Sequence, residues 1–256
     1  MTVGGRKMRY VAAQGPLAET TVDFWQMAWE NQVNLIIMVT SECFQYWPPD
    51  DCKSSVQHGS FCVTSQYFTD SGTTITRRFC LTHSSSTEQR VVWHLEFVGW
   101  PDFGVPQCLS TFIAFINEIG SLRRQANSAR GNDDTFKPPT VVHCIGGIGR
   151  TGVTILTELL LTAVQHNEPI SIQHCLKLLR SQRMALVETP EQYRFVHQVL
   201  LDYLKHKKHL LYGHEAIIGM FLVFFWTCFL NVVHNMVIDL CNYMLAARKE
   251  LGMSLQ

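Results

Sequence analysis

Cys144 and Arg150 lie six positions apart in the run His143-Cys144-Ile145-Gly146-Gly147-Ile148-Gly149-Arg150-Thr151-Gly152, with three glycines between them. Glycines let consecutive backbone N–H groups converge on an anion, and the positive end of a helix beginning near Arg150 would add to the field. Such a field suits a phosphate dianion and favours the thiolate of Cys144, which is the competent nucleophile. The Arg150 guanidinium can hold two equatorial phosphoryl oxygens and stabilise charge as it develops. Thr151 offers a hydroxyl to the sulfur when it leaves in a second step. The Cys-to-Arg spacing alone is weak evidence. Its setting, a β-branched strand before and an apolar helix after, argues against a merely structural buried cysteine.

A thiolate that takes phosphate from an aryl ester needs a proton donor for the leaving phenolate. Asp102 meets that need, because it sits between Pro101 and the Phe103-Gly104 pair in a loop that could close over substrate and exclude water. On its own, Trp100-Pro101-Asp102 reads as surface punctuation. His143 could tune the thiolate through backbone-directed hydrogen bonds, and it lacks the partners that a metal ligand requires. Arg77-Arg78 and Arg123-Arg124 read most simply as solvated faces.

The elements that must carry these groups follow from the hydrophobic pattern. Ala18–Asn31 repeats apolar residues at helical spacing, and Val33–Val39 is a continuous β-branched run suited to a strand covered on both faces. Residues 41–76 are polar and broken at Trp47-Pro48-Pro49, in a region mainly β, with strands at Arg77–Leu81 and Val91–Phe97. A helix follows from Leu109, then a polar loop from Gln125 to Pro139. Thr140–His143 is a strand, Cys144–Gly149 a glycine-rich loop and Arg150–Gln165 a helix. Two further helices are predicted near Ser171–Gln182 and Pro190–Lys205. The fold class is α/β, a twisted mixed sheet flanked by helices.

With 256 residues, 46% of them hydrophobic, the chain can build one packed domain plus an appendage. Its 21 basic residues balance 21 acidic ones, with no basic stripe interleaved with aromatics, so no nucleic-acid partner is expected. Nine cysteines without CxxC pairing indicate neither a disulfide framework nor a structural metal, and suit a reducing, cytoplasmic setting. Met1–Tyr10 lacks the apolar core of a secretory signal.

These residues closely resemble the cysteine-dependent protein tyrosine phosphatases. The matching stretches are Ala13-Gln14-Gly15-Pro16-Leu17, Asp23-Phe24-Trp25 through Trp29-Glu30, Tyr46-Trp47-Pro48, Trp100-Pro101-Asp102, the glycine loop and Gln192-Tyr193-Arg194-Phe195. Val92-Trp93-His94-Leu95 and Arg183-Met184 are most similar to the Pez-type subgroup, non-receptor members that carry an N-terminal FERM domain, absent from this sequence. The resemblance implies hydrolysis of phosphotyrosine in proteins through a phosphocysteine on Cys144. Asp102 is then the general acid, Arg150 the phosphate clamp, and residues Ile145, Gly146, Gly147, Ile148 and Gly149 the substrate cradle. It implies no metal or other cofactor.

The departures from that pattern are as informative. The chain begins just upstream of Gln14-Gly15-Pro16, so the family's first helices and its substrate-stacking tyrosine loop are expected to be missing. Ile145 and Gly146 stand where the family usually has Ser and Ala. Glu188 replaces a glutamine that helps to position the hydrolytic water, and places a carboxylate beside a dianion; Gln192, the second glutamine, is kept. Glu42 is a candidate carboxylate for orienting Arg150. The same departures leave open a phosphatase-like module that binds phosphoproteins without turnover, or a membrane-anchored scaffold fragment.

The sequence divides into a phosphatase-like domain over residues 1–212 and an apolar tail over 213–256. Ala216–Val233 is apolar except for Gly219, Thr227 and Asn231, about the minimum for a bilayer, and a transmembrane helix near 216–238 is one reading. Lys205-His206-Lys207-Lys208-His209 would keep the domain on the cytosolic side. A helix packed on the domain or a partner, or sequence with no selected role, are the alternatives.

Overall fold

The computed structural model describes residues 1–3, 5–51, 53–101, 104–128 and 137–211. In chain order its elements are β1 (Thr2–Val3), β2 (Arg6–Lys7), β3 (Tyr10–Gln14), a 3-10 turn (Ala18–Thr20) leading into α1 (Thr21–Glu30), and β4 (Leu35–Met38). Then come β5 (Ser55–His58), β6 (Phe61–Asp70), β7 (Thr74–His83), β8 (Gln89–Phe97), α2 (Leu109–Ser128) and β9 (Thr140–Cys144). The remaining helices are α3 (Gly149–Gln165), α4 (Ile172–Gln182) and α5 (Pro190–Leu211).

Seven strands form one sheet in the order β3-β9-β4-β8-β7-β6-β5. The four from β3 to β8 are parallel, whereas β7, β6 and β5 run as antiparallel neighbours. The apolar run of β4 explains its central place, since its alternate residues feed two different cores. Leu35, Ile37 and Val39 join the cluster that holds Phe112, Phe115 and Ile119 of α2 and Val153, Leu156 and Leu159 of α3. Ile36 faces the other way, with Phe24, Trp25 and Ala28 of α1 and the ring of Tyr46. Both faces are therefore covered, as parallel strands require.

Several sequence expectations need correction. The helix expected over Ala18–Asn31 opens as a 3-10 turn and ends at Glu30. The polar stretch before Arg77 contains β5 and β6, and β7 already begins at Thr74. The outer half of β6, from Gln66 to Asp70, is exposed, and its register shifts between Ser65 and Tyr67. A bulge of this kind interrupts the alternation that marks a strand in sequence. α2 continues to Ser128, four residues into the expected loop. α5 runs to Leu211 rather than stopping at Lys205. The expected tail over 213–256, including the span near 216–238, lies outside the described residues. Among the described residues no helix is long and apolar enough to cross a membrane.

Candidate active site

β9 delivers Cys144 to the C-terminal edge of the parallel strands. Between β3 and β4 it is buried along its whole length, with His143 fully buried and Cys144 4% exposed. The chain then turns through residues 145–148 into the first turn of α3, so the strand, loop and helix N-terminus expected from sequence are present. At Thr151, one turn into α3, the hydroxyl donates to Cys144 Sγ at 3.2 Å. That contact is placed to assist a thiolate.

Glycine is obligatory at one point of the loop. Gly147 has φ +67°, and a Cβ there would lie 2.1 Å from the Ala13 carbonyl oxygen of β3. The loop therefore rests directly on the backbone of the strand beside it. Gly146 differs, because a Cβ would make only ordinary contact with Ile148 at 3.8 Å. The Gly15 N–H donates to Cys144 O at 2.7 Å and to Ile145 O at 3.1 Å, and a side chain there would strike the Cβ of Cys43. The Gln14-Gly15-Pro16 motif is thus part of the cradle's foundation.

Arg183, in the turn after α4, donates from Nε to Gly147 O at 2.8 Å and from Nη2 to Gly146 O at 3.3 Å. Holding these carbonyls on the outside turns the adjoining peptide N–H groups the opposite way, because the peptide unit is planar. A nest of inward N–H groups results, which is an anion site. No local sequence signal identified this role. A single arginine in a turn is ordinary, and only the fold brings it beneath the loop.

Arg150 is half-buried, with Nη1 3.5 Å from Thr40 Oγ1 and Nη2 donating to Pro101 O at 3.3 Å. Its guanidinium also lies 6.0 Å from the centre of the Trp100 ring. Thr40 Oγ1 accepts in addition from the backbone N–H of Glu42 at 3.0 Å. Glu42 therefore meets the site through its backbone, while its side chain is exposed. Thr40, 1% exposed, is a contact to Arg150 that sequence reading missed.

Asp102 and Phe103 lie outside the described residues. Their flanks are fixed: Trp100 packs on Phe112 and Phe195, and its Nε1–H donates to Gly104 O at 3.1 Å. Gly104 has φ +79°, and its Cβ position would fall 3.3 Å from Glu191 Oε1.

Two side chains close on the mouth from the start of α5 and the turn before it. Around Gly149, a Cβ would meet Gln192 Nε2 at 2.8 Å and Glu188 Oε2 at 2.9 Å. Gln192 also accepts from the Glu188 N–H at 2.9 Å, which ties the pair together. Ile145 is 50% exposed beside the nucleophile and offers an apolar lip. Of the residues expected from sequence, the fold gathers Cys144, His143, Ile145 to Gly149, Arg150, Thr151, Glu188 and Gln192 at one place. Among the described residues there is no cluster of His, Cys, Asp or Glu that could hold a metal.

A cysteine at the end of a parallel strand, a glycine cradle and an arginine in the following helix define a cysteine-based phosphatase domain. In agreement, the family described as protein-tyrosine phosphatase matches residues 1–202, and the chain belongs to that family. It is 43% identical over 216 residues to tyrosine-protein phosphatase non-receptor type 14 of Mus musculus, covering 81% of this chain and 18% of the relative. It is 42% identical to non-receptor type 21 of Rattus norvegicus, with 81% of the chain and 18% of the relative covered. Receptor-type tyrosine-protein phosphatase zeta of Homo sapiens is 35% identical over 218 residues, 79% of the chain and 9% of the relative. The chain thus spans less than a fifth of the length of the first two relatives. The likeness falls in the Pez-type subgroup that the motifs indicated.

Proposed function

We propose that this domain hydrolyses phosphotyrosine in proteins by a two-step mechanism. In the first step the Cys144 thiolate attacks phosphorus, the phosphoryl group passes to sulfur, and Asp102 gives its proton to the departing phenolate. In the second, water attacks phosphorus, a proton returns to Asp102 and the thiolate leaves with help from the Thr151 hydroxyl. Arg150 and the inward amides of residues 145–149 hold the equatorial oxygens through both steps. Gln192 is available to orient the water. The observation that carries this reading is the Thr151 hydroxyl on Cys144 Sγ at 3.2 Å, beneath a loop whose carbonyls are bound from outside by Arg183.

The full chain is assayed with an aryl phosphate for burst and steady-state release. Wild type is expected to turn over, Cys144→Ser to release nothing, and Asp102→Ala to lose about 100-fold or more in kcat. A folded wild type with no burst would sink the enzyme reading. A second reading, a module that binds phosphoproteins with little turnover, is favoured by one observation: the Glu188 carboxylate lies against Gly149 at the mouth. A full-sized burst followed by negligible steady-state release would support it.

For localisation, the proposal is a cytosolic domain with an apolar C-terminal helix near 216–238 as a membrane anchor. The apolar run and its basic N-terminal flank support it. Under alkaline carbonate the full chain should stay with membranes; release into the supernatant would rule out a spanning helix.

A further inference from the structure

Behind the nucleophile's strand lies a buried row of polar side chains that the proposed chemistry does not use. Tyr46 Oη is 2.7 Å from His143 Nε2 and 2.9 Å from His94 Nε2. His94 Nδ1 faces Arg77 Nη1 at 3.4 Å. Arg77 is itself held on both sides, donating from Nη1 to Glu96 Oε2 at 2.7 Å and from Nε and Nη2 to the Asp50 carboxylate at 2.5 and 3.0 Å. Both histidines are fully buried and Arg77 is 3% exposed. The rings of Phe24, Trp47 and Phe79 surround them.

Hydrogen-bond valence settles where the protons sit. Burial holds both rings neutral: it lowers His143 to about 4, and together with Arg77 and His143 it takes His94 well below the usual imidazole range. Burial likewise keeps the Tyr46 phenol protonated. A guanidinium only donates, so His94 Nδ1 must be the bare, accepting nitrogen, and its proton is on Nε2. That proton goes to Tyr46 Oη. The single hydroxyl hydrogen of Tyr46 then has one acceptor left, His143 Nε2, which leaves the His143 proton on Nδ1.

The far end is compatible with the same pattern. His143 Nδ1 is buried and makes no hydrogen bond, and the backbone of Cys144, the next residue, opposes part of the burial effect on the ring. That backbone favours the protonated ring, so a proton on Nδ1 suits the site better than a lone pair. The reversed pattern would thus oppose two N–H groups at Arg77.

We infer that Arg77 is a positioning residue for the nucleophile: as a pure donor it fixes the protons of His94, Tyr46 and His143, and so keeps an N–H on Nδ1 of His143, the residue next to Cys144. The reading of Cys144 as nucleophile underlies this inference. β7, on the antiparallel side, and β8, the last of the parallel strands, thereby act on the end of β9.

The full chain labelled with 15N-histidine gives the direct test through long-range proton–nitrogen correlations near neutral pH, with His94→Gln and His143→Gln for assignment. The expected spectrum has His94 protonated on Nε2 and His143 on Nδ1. The reverse pattern, or a charged ring at either site, would overturn the inference. Alkylation of Cys144 by iodoacetate, followed by peptide mass so that the exposed Cys108 is counted apart, gives a second readout. Tyr46→Phe and His94→Gln should each slow it about three- to tenfold, and the double variant should be no slower than the slower single one. Additive losses would overturn the relay. The tautomers are read without substrate, so a chain showing the expected spectrum but no phosphatase activity would support the relay and defeat the proposed function.

Discussion

Glu188 sets the electrostatic problem at the mouth of the cradle. Its carboxylate shares the approach to Gly149 with Gln192, where a phosphoryl group in the loop would bring further negative charge. In the proposed mechanism, attack by Cys144 starts with the dianion held by Arg150, whereas hydrolysis of the phosphocysteine needs water brought in beside Glu188. The second step should feel the carboxylate more. Glu188→Gln is therefore expected to raise steady-state kcat by about three- to tenfold and leave the burst rate nearly unchanged. Rapid-mixing assays with an aryl phosphate separate the two, and an unchanged kcat would remove Glu188 from the account. At this scale sequence was most legible where the chemistry is contiguous. Cys144 to Thr151 can be read in one line because strand, loop and helix follow without interruption. Thr40 and Arg183 could not be read, since each reaches the site across the fold and neither residue type nor spacing marks it.

Among elements, the contact of the loop with β3 is the least tolerant. Replacing Gly147 by Ala would demand φ +67° of an L-residue and drive a methyl into the Ala13 carbonyl. The expected loss is about 3 kcal/mol of stability or a displaced loop, with kcat/KM down by about 100-fold or more. Gly146→Ala is the control. Its Cβ has room against Ile148 and should cost under about 1 kcal/mol, checked by urea unfolding of both variants. Arg183→Ala should lower phosphate affinity while the thermal transition moves little, because the residue is a surface cap on two loop carbonyls. Isothermal titration with inorganic phosphate would show it. β4 was legible through its apolar run and β9 through its β-branched start, but β3 was not. Tyr10–Gln14 is a five-residue edge strand with two alanines and a half-buried pattern, and its pairing lies far along the chain.

The whole molecule carries the cost of its buried imidazoles in its response to acid. The folded-state value for His143, about 4, lies below the ordinary 6.5. In the window between them the unfolded chain binds a proton that the folded ring refuses, so stability is full above the upper value and falls as pH drops toward the lower one. The loss should be about 2 kcal/mol on going from about pH 7 to about pH 5. His94 shifts in the same direction and adds to it. Urea midpoints across that range provide the check, and a flat profile would contradict neutral burial.

One contact has a bearing on time as well as shape. β3 pairs with β9 from Tyr10 with Thr140 to Gln14 with Cys144, and the cradle leans on that strand through Gly147 and Gly15. Two segments so distant along the chain must close a large loop before either gains from the other. A growing polypeptide therefore cannot assemble the reactive cysteine's surroundings until most of the domain has been made. On refolding, far-ultraviolet ellipticity should return before phosphate binding does. During that interval Cys144 is an unguarded thiol, and newly made copies would be at their most vulnerable to oxidation.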